Sequence, residues 1–194
     1  MTATETPAAG MTRLPAAGTT RPLVVGLDLS LTCTGIAGEG WTDRIRTKTR
    51  GDLRLNYLAG EISSFIKAAD LVVMEGPSFG HVGPQAHEDM AGLRVLVRHA
   101  CFRRSIPYAV IPPSSLKLYA TGYGKASKGE VRSAVADRYG IHTEGAARYD
   151  EADAYIAMAA GMDWLGYSLA AVPEKNSSAL GGVKWPEQAP AVAA

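Results

Sequence analysis

The chain has only two cysteines among its 194 residues, Cys33 and Cys101, which rules out a disulfide framework and offers no metal-ligand spacing. Reduced thiols in a cytoplasmic setting are the expectation. No apolar run approaches the roughly 20 residues that span a bilayer, so no membrane partner is expected. The first twenty positions lack the charged-then-apolar pattern of a secretory signal. The four histidines (His81, His87, His99 and His142) form no zinc pattern, and no Ser-His or Cys-His arrangement suggests a covalent nucleophile. There are no internal repeats. Nor is there a charge excess: a net +1 gives no global sign of a nucleic-acid partner. A case for DNA must rest on where the charges sit, because the carboxylates of a metal site mask basic residues in the sum.

What the chain does have is carboxylates in unusual places. Asp28 lies inside the apolar run Leu23-Val24-Val25-Gly26-Leu27-Asp28-Leu29, which reads as a buried strand. An ionised acid is almost never buried without a partner, and a cation is one way to keep it charged. A second apolar run, Leu71-Val72-Val73-Met74, ends in Glu75 followed by Gly76-Pro77. Later, Tyr149-Asp150-Glu151-Ala152-Asp153 opens a helical stretch, and residues three apart on a helix share a face, so Asp150 and Asp153 point the same way. Glu151 lies about 100° from each neighbour and reads as sitting behind that pair or in solvent. Four carboxylates from three elements suit hard cations such as Mg²⁺, and a site of two ions about 3.5–4 Å apart needs several of them. Each acid also has a plain reading: a strand-end acid bonded to a turn, a solvated acid before Gly-Pro, or acids in the first helical turn meeting the macrodipole.

Periodicity and turn residues organise the rest. Residues 1–20 are rich in Thr, Ala, Pro and Gly and read as a disordered arm; residues 21–170 form the folded part; 171–194 read as a disordered tail. Strands are expected at 23–29, 32–37, 41–47, 71–75 and 108–111, the first three as a meander. Helices are expected at 50–67, at 85–104 with Met90, Leu93, Leu96, Val97 and Cys101 on one face, at 128–139 closed by Gly140, and at 149–165. A short helix after Pro112-Pro113 would be capped by Ser114 or Ser115 and run through Tyr119. This order gives an α/β fold with a mixed five-stranded sheet flanked by helices. The first strand, apolar on both faces, belongs at its centre.

Basic residues gather in two places. Lys117, Lys125 and Lys128 cluster around Gly122 and Gly124 beside a helix start, which suits phosphate contacts. Arg44 and Arg46 alternate with Lys48 and Arg50 along the third strand; this basic face is a DNA track or an edge strand guarding itself against aggregation. If the acids grip two divalent ions, the chemistry is phosphodiester hydrolysis, with Lys128 offsetting charge on the scissile phosphate.

The order of acids and elements resembles the RuvC-type Holliday junction resolvases of the RNase H-like superfamily, especially the phage-encoded branch. The resemblance rests on Gly26-Leu27-Asp28, Val73-Met74-Glu75 and Asp150-Glu151-Ala152-Asp153-Ala154, with Lys117 and the segment 125–131 matching the family's DNA-facing lysines. It implies an RNase H-like fold, a homodimer that cuts two strands of a four-way DNA junction, and Mg²⁺ or Mn²⁺ as cofactor. It also implies a wedge residue after the second acid, for which Phe79 is the candidate. Bacterial members follow the first acid with Pro-Gly, whereas this chain has Leu29-Ser30.

Three other functions stay open at this point. A nuclease of the same fold acting on RNA–DNA hybrids or flap DNA would use the same acids. A catalytically inactive junction-binding or packaging accessory protein is argued against by the complete acid set. An actin or sugar-kinase type ATPase fits 26–32 weakly, and the chain is too short for its two lobes.

Overall fold

The computed structural model describes residues 21–77 and 83–187. Five strands, β1 (Val24–Asp28), β2 (Cys33–Gly38), β3 (Trp41–Arg46), β4 (Leu71–Glu75) and β5 (Tyr108–Ile111), form one sheet in the order β3-β2-β1-β4-β5. The meander β1-β2-β3 is antiparallel, and β4 and β5 join parallel to β1. The sheet is mixed and β1 is central, as its two-sided apolar pattern dictates.

Side-chain alternation along the strands divides the core in two. Val25, Leu27, Val72 and Met74 face one way, onto Leu58, Ile62 and Ile66 of helix α1 (Gly51–Ile66) and Leu93, Val97 and Cys101 of α2 (Pro84–Arg103). Val24, Leu71 and Val73 face the other way, onto α3 (Pro113–Thr121), α4 (Lys128–Tyr139) and α5 (Arg148–Trp164). The same period of two carries Asp28 and Glu75 to the α5 face. The β1/β4 register pairs Leu27 with Met74, so the next step along both strands sets Asp28 beside Glu75.

Helix α5 is buried over most of its length because the sheet covers one side and α3 and α4 the other. It comes unusually close. A Cβ at Gly26 would meet the Ala154 carbonyl oxygen at 2.0 Å, and one at Gly35 the Asp150 carbonyl oxygen at 2.0 Å. Two strand glycines therefore set the depth at which the acidic end of α5 rests on β1 and β2.

Three expectations need correction. The segment after 171, read as a disordered tail, folds into α6 (Glu174–Ser177) and a 3₁₀ turn (Ser178–Leu180) and packs on the body. Asn176 donates to the Tyr119 carbonyl (3.0 Å), and Trp185 stacks on Trp164 with ring centroids 4.8 Å apart. Polar composition hid a few anchors that the α3/α5 surface receives. Helix α3 starts at Pro113 with Pro112 as its cap, not at Ser114 or Ser115, because proline at the first helical position needs no N–H partner. On α2, Leu93, Val97 and Cys101 are buried, but Leu96 is exposed; a helix resting on one sheet face buries a narrower stripe than its apolar content suggests.

Candidate active site

Asp28, Glu75 and Asp153 each bring a carboxylate oxygen within 4.8 Å of the others. They line a cavity of about 470 Å³ together with Asp150, Lys128, Lys117, Arg94 and His87. A larger open groove of about 830 Å³ along α4 contains none of these four acids.

Local sequence holds each part in place. After Asp28 the chain turns through Ser30, whose N–H donates to the Thr34 hydroxyl (3.1 Å) while that hydroxyl donates back to the Ser30 carbonyl (2.9 Å). Thr34 is fully buried, so the turn cannot drift. After Glu75, the Gly76 N–H donates to the Ile111 carbonyl (2.8 Å), extending the β4/β5 ladder past the acid. Before α5, the buried Thr143 hydroxyl donates to the Arg148 carbonyl (2.6 Å), and Arg132 Nε donates to the Thr143 carbonyl (2.9 Å). A capping box fixes the start of α4: Ser127 Oγ accepts from the Glu130 N–H (3.3 Å), and Glu130 accepts from the Ser127 N–H (2.7 Å). Lys128, the first residue of that helix, then reaches Asp150 (3.5 Å) and Asp153 (3.6 Å).

Electrostatics follow from crowding. Burial, then the charge and hydrogen bond of Glu75, then the charge of Asp153, raise the Asp28 carboxyl well above its ordinary range; Lys128 opposes them. Burial and Glu75 push Asp153 up to about 7 against the pull of Lys128. For Lys128, burial works against the charged form, but Asp153, Asp28, Asp150 and Glu75 together raise its pKa. Like charges held this close are relieved by a proton or a cation. The donors in the group are all carboxylate oxygens, the set that hard divalent ions take.

The four expected acids thus reach one cavity, three of them in a tight group and Asp150 one helical turn further along the wall. Lys117 lines the same cavity, whereas Lys125 is exposed and does not. Phe79 lies outside the described residues. Arg44, read as facing DNA, donates to the buried Glu151 (2.7 Å), which also accepts from Thr42 (3.3 Å). Glu151 is therefore tied to β3 rather than solvated, because the close seat of α5 on β2 presses it against the sheet. Arg46 approaches the Cys33 sulfur at the same edge. Sequence reasoning missed Arg94. Its signal was a charged residue next to Leu93 and one turn from Met90, at the edge of the apolar stripe of α2.

No family model matches this sequence, and no curated protein matches it. Solved structures do. The chain is similar to the Thermus thermophilus RuvC structure at 18% identity and a TM-score of 0.60, over 78% of this chain and 99% of that one. It is also similar to T. thermophilus RuvC in complex with Holliday junction substrate, at 18% identity and a TM-score of 0.61 over the same shares. This chain has the RuvC fold. The RNase H-like architecture expected from the order of acids and elements is the one observed, with the RuvC-like sheet and flanking helices. Among the described residues, no helix is long and apolar enough to cross a membrane.

Proposed function

We propose that this RuvC-like chain is a metal-dependent endonuclease that resolves four-way or other branched DNA junctions, working as a homodimer. One observation carries the reading: acids from β1, β4 and α5 converge within 4.8 Å in a cavity that cations also line. The matched fold includes a RuvC solved with a Holliday junction substrate, which supports branched DNA as the substrate class.

In this reading Asp28, Glu75, Asp150 and Asp153 hold two Mg²⁺ or Mn²⁺ ions. Such ions lower the pKa of a bound water and stabilise a leaving oxygen in phosphodiester hydrolysis. The protein's part is positional. The strand acids are fixed by the β1/β4 register, and the helical acids by the depth of α5. Lys128 offsets charge on the phosphate being cut. Lys117, Lys125 and Arg46 contact the backbone of the bound strand, so affinity falls as salt rises. Arg44 contributes less to DNA, since Glu151 already engages its guanidinium.

The test is cleavage of a synthetic four-way junction against linear duplex, flap DNA and an RNA–DNA hybrid, in Mg²⁺ or Mn²⁺. Wild type is expected to cut the junction at symmetric positions, and Asp28→Asn to bind but not cut. Preference for hybrid or flap moves the reading to another nuclease of this fold. Binding without cleavage by wild type makes the chain a junction-binding accessory protein.

A further inference from the structure

Arg94 and Lys117 line this cavity and close no ion pair among the described residues, and of the two it is Arg94 that has a buried donor without a hydrogen-bond partner. Lys128 is paired to Asp150 and Asp153. Arg94 forms no ion pair among the described residues, and its Nε is shielded from solvent with no hydrogen-bond partner there. Burial weakens its hold on the proton, while the nearby charges of Glu75 and Asp28 strengthen it. The guanidinium is therefore half-buried, charged and on the wall of the cavity that holds the acids, without closing on them. Leu93 and Val97 beside it are anchored in the core, which fixes the roll of α2 and so the side of the helix from which Arg94 reaches the cavity.

A donor of a charged group left buried and unmade is costly, so the arrangement calls for an acceptor. The acceptor must be anionic and offer more than one oxygen, because a guanidinium is a planar fork suited to bidentate anions. It must also sit beside the acid group once cations have neutralised it. A phosphodiester meets all three conditions. We propose that Arg94 is a substrate-contacting residue that grips the phosphate of the strand lying on Asp28 and Glu75. This rests on the nuclease reading above and adds the residue that holds the reacting phosphate from the α2 side.

The test uses the full chain and a junction whose cut position has been mapped with wild type. Single-turnover cleavage is compared for wild type, Arg94→Gln and Arg94→Lys. Binding is then measured in Ca²⁺, a hard ion that takes the same oxygen ligands, under conditions checked to give no cleavage, for the normal junction and for one with a neutral methylphosphonate at the mapped linkage. Loss of one preorganised donor to a charged transition state predicts about a 100-fold slower cut for Arg94→Gln. Arg94→Lys, which keeps the charge but loses the fork, should fall in between. Neutralising the linkage should weaken binding by wild type and leave Arg94→Gln unchanged, a readout that a purely structural role would not produce. If Arg94→Gln fails to fold, Arg94→Lys carries the same comparison. Cleavage by Arg94→Gln at the wild-type rate, or equal loss of affinity by both proteins on the neutral linkage, overturns the role of Arg94 alone. If wild type cuts no DNA, the nuclease reading fails and this inference falls with it.

Discussion

Gly35 on β2 lies directly against the backbone of Asp150: a Cβ there would stand 2.0 Å from the Asp150 carbonyl oxygen and 2.9 Å from the Glu151 nitrogen. Backbone cannot step aside as a flexible side chain can, so the position of the helical acids depends on a strand residue with no side chain. Gly35→Ala must lift the start of α5 away from the sheet. Overpacking of this kind costs about 1–3 kcal/mol, and unfolding temperature should fall by several degrees. The displaced Asp150 and Asp153 should weaken Mg²⁺ binding more than that stability loss explains. Mg²⁺ titration of the folded variant, followed by thermal shift, measures this; unchanged metal affinity would show that α5 tolerates the shift.

Asp28 stands where Glu75 and Asp153 converge, and removing its charge should have two opposite effects. Asp28→Asn relieves repulsion and the burial of a charge within the group, so at neutral pH and above the metal-free protein should become more stable. Cleavage should drop at least 100-fold if Asp28 holds metal in the proposed nuclease reaction. Calorimetry in EDTA and single-turnover cleavage read the two effects separately. A variant that is less stable without metal would contradict the repulsion.

The Asp153 carboxyl, raised to about 7 by burial and Glu75, makes the metal-free fold sensitive to pH. Between its unfolded pKa near 3.8 and about 7, the folded chain holds a proton that the unfolded chain has released. Metal-free stability from this group therefore falls as pH rises through that window and reaches its lowest level above about 7. Asp28 acts in the same direction. Millimolar Mg²⁺ must displace these protons, so its stabilisation should grow from about pH 5.5 to about pH 8. Thermal unfolding with EDTA or Mg²⁺ at both pH values checks the sign, and Asp153→Asn should flatten the EDTA curve.

The Arg44–Glu151 pair joins an edge strand to the helix that carries the acids. Arg44→Ala leaves Glu151 buried with only the Thr42 hydroxyl for company, so the fold should weaken. Replacing both residues with apolar partners should recover much of the loss. If the main work of Arg44 is to hold α5, the salt dependence of junction binding should be the same in Arg44→Ala as in wild type. A slope reduced by about one would return Arg44 to the phosphate contacts.

Cutting the chain after Val172 removes Asn176, Ala179, Val183 and Trp185, which together cover α3 and the end of α5. The shortened protein should unfold at clearly lower temperature by circular dichroism. Trp185→Ala alone should reproduce part of that shift, since it ends the stack on Trp164.

Much of this was legible in the residues themselves. The strands 71–75 and 108–111 and the helix 128–139 fall where alternation, helical period and flanking Gly or Pro put them. The acids of the site were visible because a charge inside an apolar strand needs a reason. The tail after 171 was not legible: its anchors are single residues spaced among polar ones, without a period to detect. Arg94 was hidden because a charged residue beside an apolar stripe reads as its solvent edge until the cavity it borders is known. The Arg44–Glu151 pair was hidden too, since no local rule connects residues 44 and 151.

The one-dimensional pattern by itself determined which segments between residues 23 and 165 are strands and helices, and that Asp28 and Glu75 each fall on one face of their strands, because a period of two is set within each strand. Only the tertiary structure decided which acids touch. That depends on the β1/β4 register, which pairs Leu27 with Met74, and on how closely α5 rests on Gly26 and Gly35, more than a hundred residues away in the chain; no rule local to any one segment sets either.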